Sequence, residues 1–225
     1  MPMLRSIYAK LGTNPSAAEK IVWGGILVSF FFLGRGGEMW GSLEKSMKWS
    51  NLKLWSEPGV LWSPGKGKPT AASVKWDTDK TNTRANMHLF ASGDPILCPV
   101  LGVQWILEGR TQLASRKRMT ERAVDGGPKA TALKWLKQAA LENGVAFKDL
   151  GLYTLHSIRV GATTALAEGG CDEMLLRLTG RWRSNTNRLY QRRTEGTFIG
   201  VPQMMLQSEA RLAQEWGRGE GRNTL

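Results

Sequence analysis

The stretch LHSIRVGATTALAEGG, residues 155–170, is followed closely by TGRWRSNTNRLYQRR, residues 179–193. Thr154 stands where a helix N-cap belongs, the alanine-rich run favours helix, and Gly169–Gly170 supplies a stop. Residues three apart share a helical face, so His156 and Arg159 are expected to project from one turn. A neutral imidazole can pass a proton near pH 7, and a guanidinium can grip two phosphate oxygens at once. Alone, such a pair is ordinary surface chemistry. Its weight changes downstream, where Arg177 to Arg193 holds six arginines, no acid, and Tyr190. An arginine run by itself fits a solvated face or a simple phosphate-contact surface. A phenol, however, with a pKa of about 10, is a poor nucleophile unless positive charge stabilises the phenolate. Arginines that also bind the target phosphate would do both.

Working outward, the 225 residues suffice for one good-sized domain, and 41% hydrophobic residues with ten tryptophans can build a core. Lys and Arg outnumber Asp and Glu by 31 to 19, a net charge of +12. That surplus favours a polyanionic partner, nucleic acid before an acidic membrane surface, with solubility alone as the plainer reading. Cys98 and Cys171 are too few for a disulfide framework and lack metal-ligand spacing, as expected of reduced thiols in an intracellular protein. The apolar run IVWGGILVSFFFL, residues 21–33, is shorter than the ~20 residues that span a bilayer, so it is expected to be a buried core helix. GKGKP at 65–69 lacks the rest of a P-loop, and GRGGE at 34–38 lacks the third glycine of a dinucleotide turn. No cofactor and no metal are expected.

Along the chain, MPMLRSIYAKLG reads as a short helix. Asn14 and Pro15 signal the start of a second, running to about Leu33 and broken by Gly34, Gly36 and Gly37. A third helix is expected over Glu38 to Lys45. Alternation predicts strands at 50–56, 73–78 and 84–91, with a Gly/Pro-rich turn or flap between the first two. The sequence then turns helical at 98–109, and the basic segment 111–127 reads as a mobile connection. Further helices are expected near 128–143, 154–169 and 172–178, then a short one ending near Tyr190 and a last from Pro202 to Trp216. The fold class is mainly α (α+β): one helical domain with a small antiparallel sheet. The tryptophans read as core residues, Trp182 excepted.

H-x-x-R on a helix, a G-R-W turn, and a tyrosine ten residues after the glycine together resemble the C-terminal signature of the tyrosine recombinases, the phage-integrase family. Here these are His156, Arg159, Gly180 and Tyr190. The family's first catalytic arginine heads a helix after a glycine break, in a pattern R-x-x-E-L. LGRGGEMW is similar, giving Arg35 with Glu38 three residues on. Its catalytic lysine lies in a turn between two strands, which DTDKTNTRANMHL matches with Lys80; Lys75 and the lysines of GKGK are nearby competitors. CPV at 98–100 looks like the integrase variants of eukaryotic mobile elements. The resemblance spans about residues 15–195. Arg181 stands where the family usually has His or Trp, with Trp182 one step later, so either Trp182 takes that role or Arg181 adds a phosphate contact. The family's separate N-terminal helical domain is expected to be absent, leaving residues 1–225 as one catalytic domain with a C-terminal helix and tail over 196–225.

The resemblance implies that Tyr190 attacks a DNA phosphodiester, forms a 3′-phosphotyrosyl link and frees a 5′-hydroxyl. Arg35 and Arg159 would hold the non-bridging oxygens, Lys80 would protonate the departing oxygen, and His156 would assist binding and proton traffic. Glu38 would orient Arg35 or His156. Arg116, Lys117 and Arg118 in the basic segment 110–122, with Arg181, Arg183 and Arg188, would contact backbone phosphates. The implied partner is double-stranded DNA, bound by a homo-oligomer of two to four chains, in the nucleus of a eukaryote or the cytoplasm of a prokaryote, without a membrane. The C-terminal helix, with Met204, Met205, Leu212 and Trp216, resembles the element family members dock on a neighbour; packing on its own domain is the other reading. Relaxation in the manner of a type IB topoisomerase, and a non-catalytic DNA-binding remnant of a mobile element, are the alternatives to recombination. A metal-dependent nuclease lacks its carboxylate cluster.

Overall fold

The computed structural model describes residues 1–76, 85–182 and 200–207. Its longest apolar element is α2 (Ala17–Phe31), preceded by α1 (Pro2–Ala9). The apolar run fixes α2 at the centre: every residue from Ile21 to Phe31 is buried. Its start differs from the expected Asn14–Pro15. Ser16 caps the helix through a reciprocal pair, with Glu19 N donating to Ser16 Oγ at 3.3 Å and Ser16 N donating to Glu19 Oε2 at 2.8 Å.

Helix α4 (Pro99–Ala114) lies directly against α2. Glycines set the distance: a Cβ on Gly24 would meet the Gly102 carbonyl at 2.5 Å, and one on Gly102 would meet Leu27 Cβ at 2.8 Å. The two backbones thus approach closer than any side-chain-bearing pair allows.

Four strands, β1 (Leu52–Glu57), β2 (Val60–Leu61), β3 (Ala71–Trp76) and β4 (Ala85–Phe90), form one antiparallel sheet in the order β2-β1-β3-β4. Leu54 pairs with Ala72, and Ala72 with Leu89, so these three share the face turned to the core. The two-residue β2 lies inside the segment expected to be a flap; it is too short to leave an alternation signal. The helix α3 (Gly36–Trp40) is shorter than expected, since the backbone turns extended at Gly41.

The basic segment after α4 is anchored, contrary to the mobile connection expected of it. Trp49 N donates to the Glu121 carbonyl at 2.9 Å, Ala123 N to the Met47 carbonyl at 2.7 Å, and Ala123 and Val124 are buried. The remaining helices are α5 (Lys129–Glu142), α6 (Leu155–Glu168) and α7 (Glu173–Gly180), all close to expectation. Thr154 and Asp172 cap the last two. Residues 201–207 are helical, with Val201 and Met205 buried and Gln203 Nε2 donating to the Ala91 carbonyl at 3.0 Å, so this stretch packs on its own chain. Leu212 and Trp216 lie outside the described residues. The arrangement is α+β, and no helix among the described residues is long and apolar enough to cross a membrane.

Candidate functional site

Where α2 ends, the chain reverses through Leu33, a fully buried residue held at φ 47°. Among the described residues only Leu33 and Arg181 combine a side chain with positive φ. Such backbone costs on the order of 1–3 kcal/mol and persists where its surroundings impose it. Both belong to one cluster. The Leu33 carbonyl accepts from Arg159 Nη1 and, at 3.3 Å, from Arg181 Nη2.

Arg35 follows at the N-cap of α3. Its Nη1 donates to Glu38 Oε1 at 2.7 Å, and its backbone N donates to Glu38 Oε2 at 2.8 Å. From the far end of α7, Arg181 meets the same carboxylate with both terminal nitrogens, at 3.1 and 2.8 Å. The Arg181 guanidinium lies 4.1 Å from the centre of the Trp76 ring, at the end of β3. Glu38 therefore joins the guanidinium of its own turn to that of Arg181, 143 residues downstream of it. Burial pushes the Glu38 carboxyl upward, but the hydrogen bonds and charge of Arg181, with the bonds from Arg35, outweigh it and hold the group below its ordinary value.

Arg159, 4% exposed, donates Nη1 to Leu33 and Nη2 to the Gly180 carbonyl. These carbonyls stand at the C-terminal ends of α2 and α7, where helices leave acceptors without intrahelical donors and carry partial negative charge. Trp182 packs on Arg159, with the guanidinium 5.0 Å from the ring centre. Gly180 permits this: a Cβ there would lie 2.0 Å from the indole. A Cβ on Gly36 would meet Leu155 Cβ at 2.8 Å, so the turn bearing Arg35 abuts the start of α6.

His156 occupies the first turn of α6 but faces outward. It is exposed and lines a groove of about 800 Å³ with Leu4, Phe30, Tyr153 and Val160. Arg159 turns inward, so the expected projection of both from one turn does not occur. The structure brings Arg35, Glu38, Arg159, Arg181 and Trp182 together, and Arg35 is the most open of the three guanidiniums, its side chain 23% exposed. Arg181, expected among the DNA contacts, has a side chain that is 0% exposed and engaged by Glu38. Arg116, Lys117 and Arg118 are exposed just beyond α4. Arg110 in the same segment is buried, with Nη2 donating to the Thr120 carbonyl at 2.7 Å and Nη1 to the Arg122 carbonyl.

Lys80, Arg183, Arg188 and Tyr190 lie outside the described residues. The strands flanking Lys80 are paired up to Trp76 and Ala85, which are register partners, and Trp76 is the ring beneath Arg181. Two contributors escaped the sequence reading. Trp76 was one apolar position of a strand, and nothing in LGRGG marks Leu33 rather than a glycine as the left-handed residue. Among the described residues no three His, Cys, Asp or Glu side chains gather as metal ligands would. No family model, no curated protein and no solved structure matches this chain.

Proposed function

We propose that the chain breaks and rejoins DNA strands through a tyrosine, as a recombinase or integrase of the tyrosine type. The observation that carries this reading is the convergence of Arg35, Glu38, Arg159 and Arg181 on one spot, with the two strained non-glycine residues at its centre. Buried bonds fix the guanidiniums in place before any ligand arrives, which is the preorganisation that charge stabilisation at a phosphorus requires.

In this reading Arg35, at the open side, meets a non-bridging phosphate oxygen. Glu38, itself engaged by Arg181, holds Arg35, and Trp182 lies against Arg159. The Tyr190 oxygen attacks phosphorus, the bond to the 5′-oxygen breaks, Lys80 gives that oxygen its proton, and the phenol proton passes to water, since His156 faces the outer groove and not the arginine cluster. The phosphotyrosyl bond keeps the energy of the broken one, so a 5′-hydroxyl can reverse the step. Strand exchange results when that hydroxyl belongs to another duplex, and relaxation when it belongs to the same strand.

A second reading draws on the burial of Arg159 and Arg181, whose terminal Nη groups donate to carbonyls and a carboxylate. Such arginines can hold a fold without touching DNA, and a non-cleaving DNA-binding protein would keep them. A nicked duplex that traps the intermediate separates the two. The recombinase reading expects a covalent protein–DNA adduct without magnesium or ATP, absent in Tyr190→Phe and strongly reduced in Arg35→Ala. Duplex binding with no adduct from the native chain would leave the second reading standing. Loss of supercoils from a plasmid without paired sites would select relaxation over recombination.

A further inference from the structure

Strand alternation gives the sheet a second face that the core does not use. Lys53, Trp55, Ser73, Lys75, His88 and Phe90 occupy it, each at an alternate position to the buried Leu54, Ala72, Val74, Met87 and Leu89. Trp55 and Phe90 are half-buried and stand outside the hydrophobic core cluster. The indole of Trp55 reaches across the sheet, with Nε1 donating to Ser73 Oγ of β3 at 2.9 Å. Its ring centre is 5.6 Å from that of His88 on β4, and His88 is 5.4 Å from Phe90. Ala71, the register partner of Trp55, and Ser73 are buried on this outer side. Three rings from two strands thus form one strip above a floor of small residues.

We propose that this face binds single-stranded DNA, with unpaired bases stacking on Trp55, His88 and Phe90 and the phosphates drawn to Lys53 and Lys75. Ring faces accept any base, and flanking cations hold the backbone; together they are the chemistry of sequence-tolerant single-strand binding. Charge complementarity selects the occupant. Lysines border the strip in a chain of net charge +12, and the one carboxylate along β1, Glu57, lies beyond the irregularity where β1 meets β2. The strip also reaches the candidate site. Lys75, at one end of the strip, borders a small recess whose lining includes Glu38, Glu44, Lys48 and Trp76, which brings that end near the arginine cluster. The surface requires no cleavage chemistry and goes beyond the function proposed above.

The test measures binding of the full chain to a labelled thymidine oligonucleotide of about twelve nucleotides, within the range one such surface accommodates. The comparison ligands are an abasic deoxyribose-phosphate chain of equal length and charge, a duplex, and a uridine oligonucleotide. Thymidine should bind about tenfold tighter than the abasic chain or better, a factor set by base stacking, and should quench tryptophan fluorescence. Trp55→Ala with Phe90→Ala should bring the ratio of the two affinities close to one and leave abasic binding as it was. Should loss of the indole unfold the sheet, as a thermal melt would reveal, Phe90→Ala alone must still lower the ratio severalfold. Equal affinity for the abasic chain, an unchanged ratio in the folded variants, or tighter binding of the duplex overturns the proposal. Tenfold preference for the uridine chain overturns the assignment to DNA.

Discussion

Two regions of this protein are rich in arginine, and they use it in opposite ways. Arg35, Arg159 and Arg181 come from three distant segments and meet around Glu38 and the Leu33 and Gly180 carbonyls. The segment 110–122 gathers its cations within a short stretch, turns Arg110 inward onto the Thr120 and Arg122 carbonyls, and leaves Arg116, Lys117 and Arg118 exposed. Local density of charge does not decide exposure, since Arg110 is buried in this segment and Arg181 is buried within a run of six arginines. Arginines that face the ends of helices mark the buried region, because carbonyls at those ends lack donors and an interior supplies no water to replace them.

The largest effect should come from the centre of the buried cluster. Arg159→Ala removes a donor from each of two interior helix-end carbonyls, leaving Leu33 only the 3.3 Å bond from Arg181, and a stem packed against Trp182, and should cost about 3–5 kcal/mol in denaturant unfolding. Arg159→Lys, which keeps the charge without the fork, should recover only part of that loss. If Arg159→Ala were as harmless as an exposed substitution, the contrast between the two regions would be broken.

Glu38→Gln comes next, at about 2–3 kcal/mol, because two guanidiniums lose their common charge partner. It carries a pH signature. The folded-state carboxyl is held below its ordinary value near 4.5, so its contribution is complete above that pH and is lost as pH falls through the folded value. Melting temperatures followed from neutral to acid should fall more steeply for the native chain than for Glu38→Gln, and the two should converge at the acid end. Parallel curves would mean that the carboxylate stays neutral or unpaired.

Much of this fold was legible in the sequence. The apolar run predicts α2, alternation predicts β1, β3 and β4, and Thr154 predicts the cap of α6, because each is a local consequence of side-chain spacing. The failures have two causes. Asn14–Pro15 misplaces the start of α2, whose cap is the Ser16–Glu19 pair, and the charged segment 111–127 reads as loose because its backbone partners at Met47 and Trp49 are remote in sequence. At the candidate site Arg35 and Glu38 were readable as neighbours three apart. The bidentate bond from Arg181 was not, since no local pattern tells a buried arginine from one of six in a basic run. His156 and Arg159 illustrate the limit most directly. Three residues apart on one helix, they still face different surroundings, because helical spacing fixes where a side chain starts and packing decides where it ends.

Smaller still is the expected effect of Trp182→Ala. The indole is 37% exposed and contributes a cation–π contact to Arg159, worth about 1 kcal/mol at such a site. Stability should fall by about that amount in the native chain and by nearly nothing in Arg159→Ala, since the contact has already gone.

The exposed cations should hardly register in stability at all. Arg116→Ala, Lys117→Ala and Arg118→Ala combined should change unfolding by no more than about 0.5 kcal/mol per position, because none has a buried role. Their effect should appear instead in duplex DNA binding measured against salt. Each phosphate neutralised contributes a slope of about −0.9 in log affinity against log salt concentration, so the triple variant should flatten that dependence by about 3. Arg110→Ala should do the reverse, destabilising the chain through the lost Thr120 and Arg122 contacts while leaving the slope as it was. If the triple variant melted early with an unaltered slope, these three cations would belong with the buried arginines, and the contrast between the two regions would be gone.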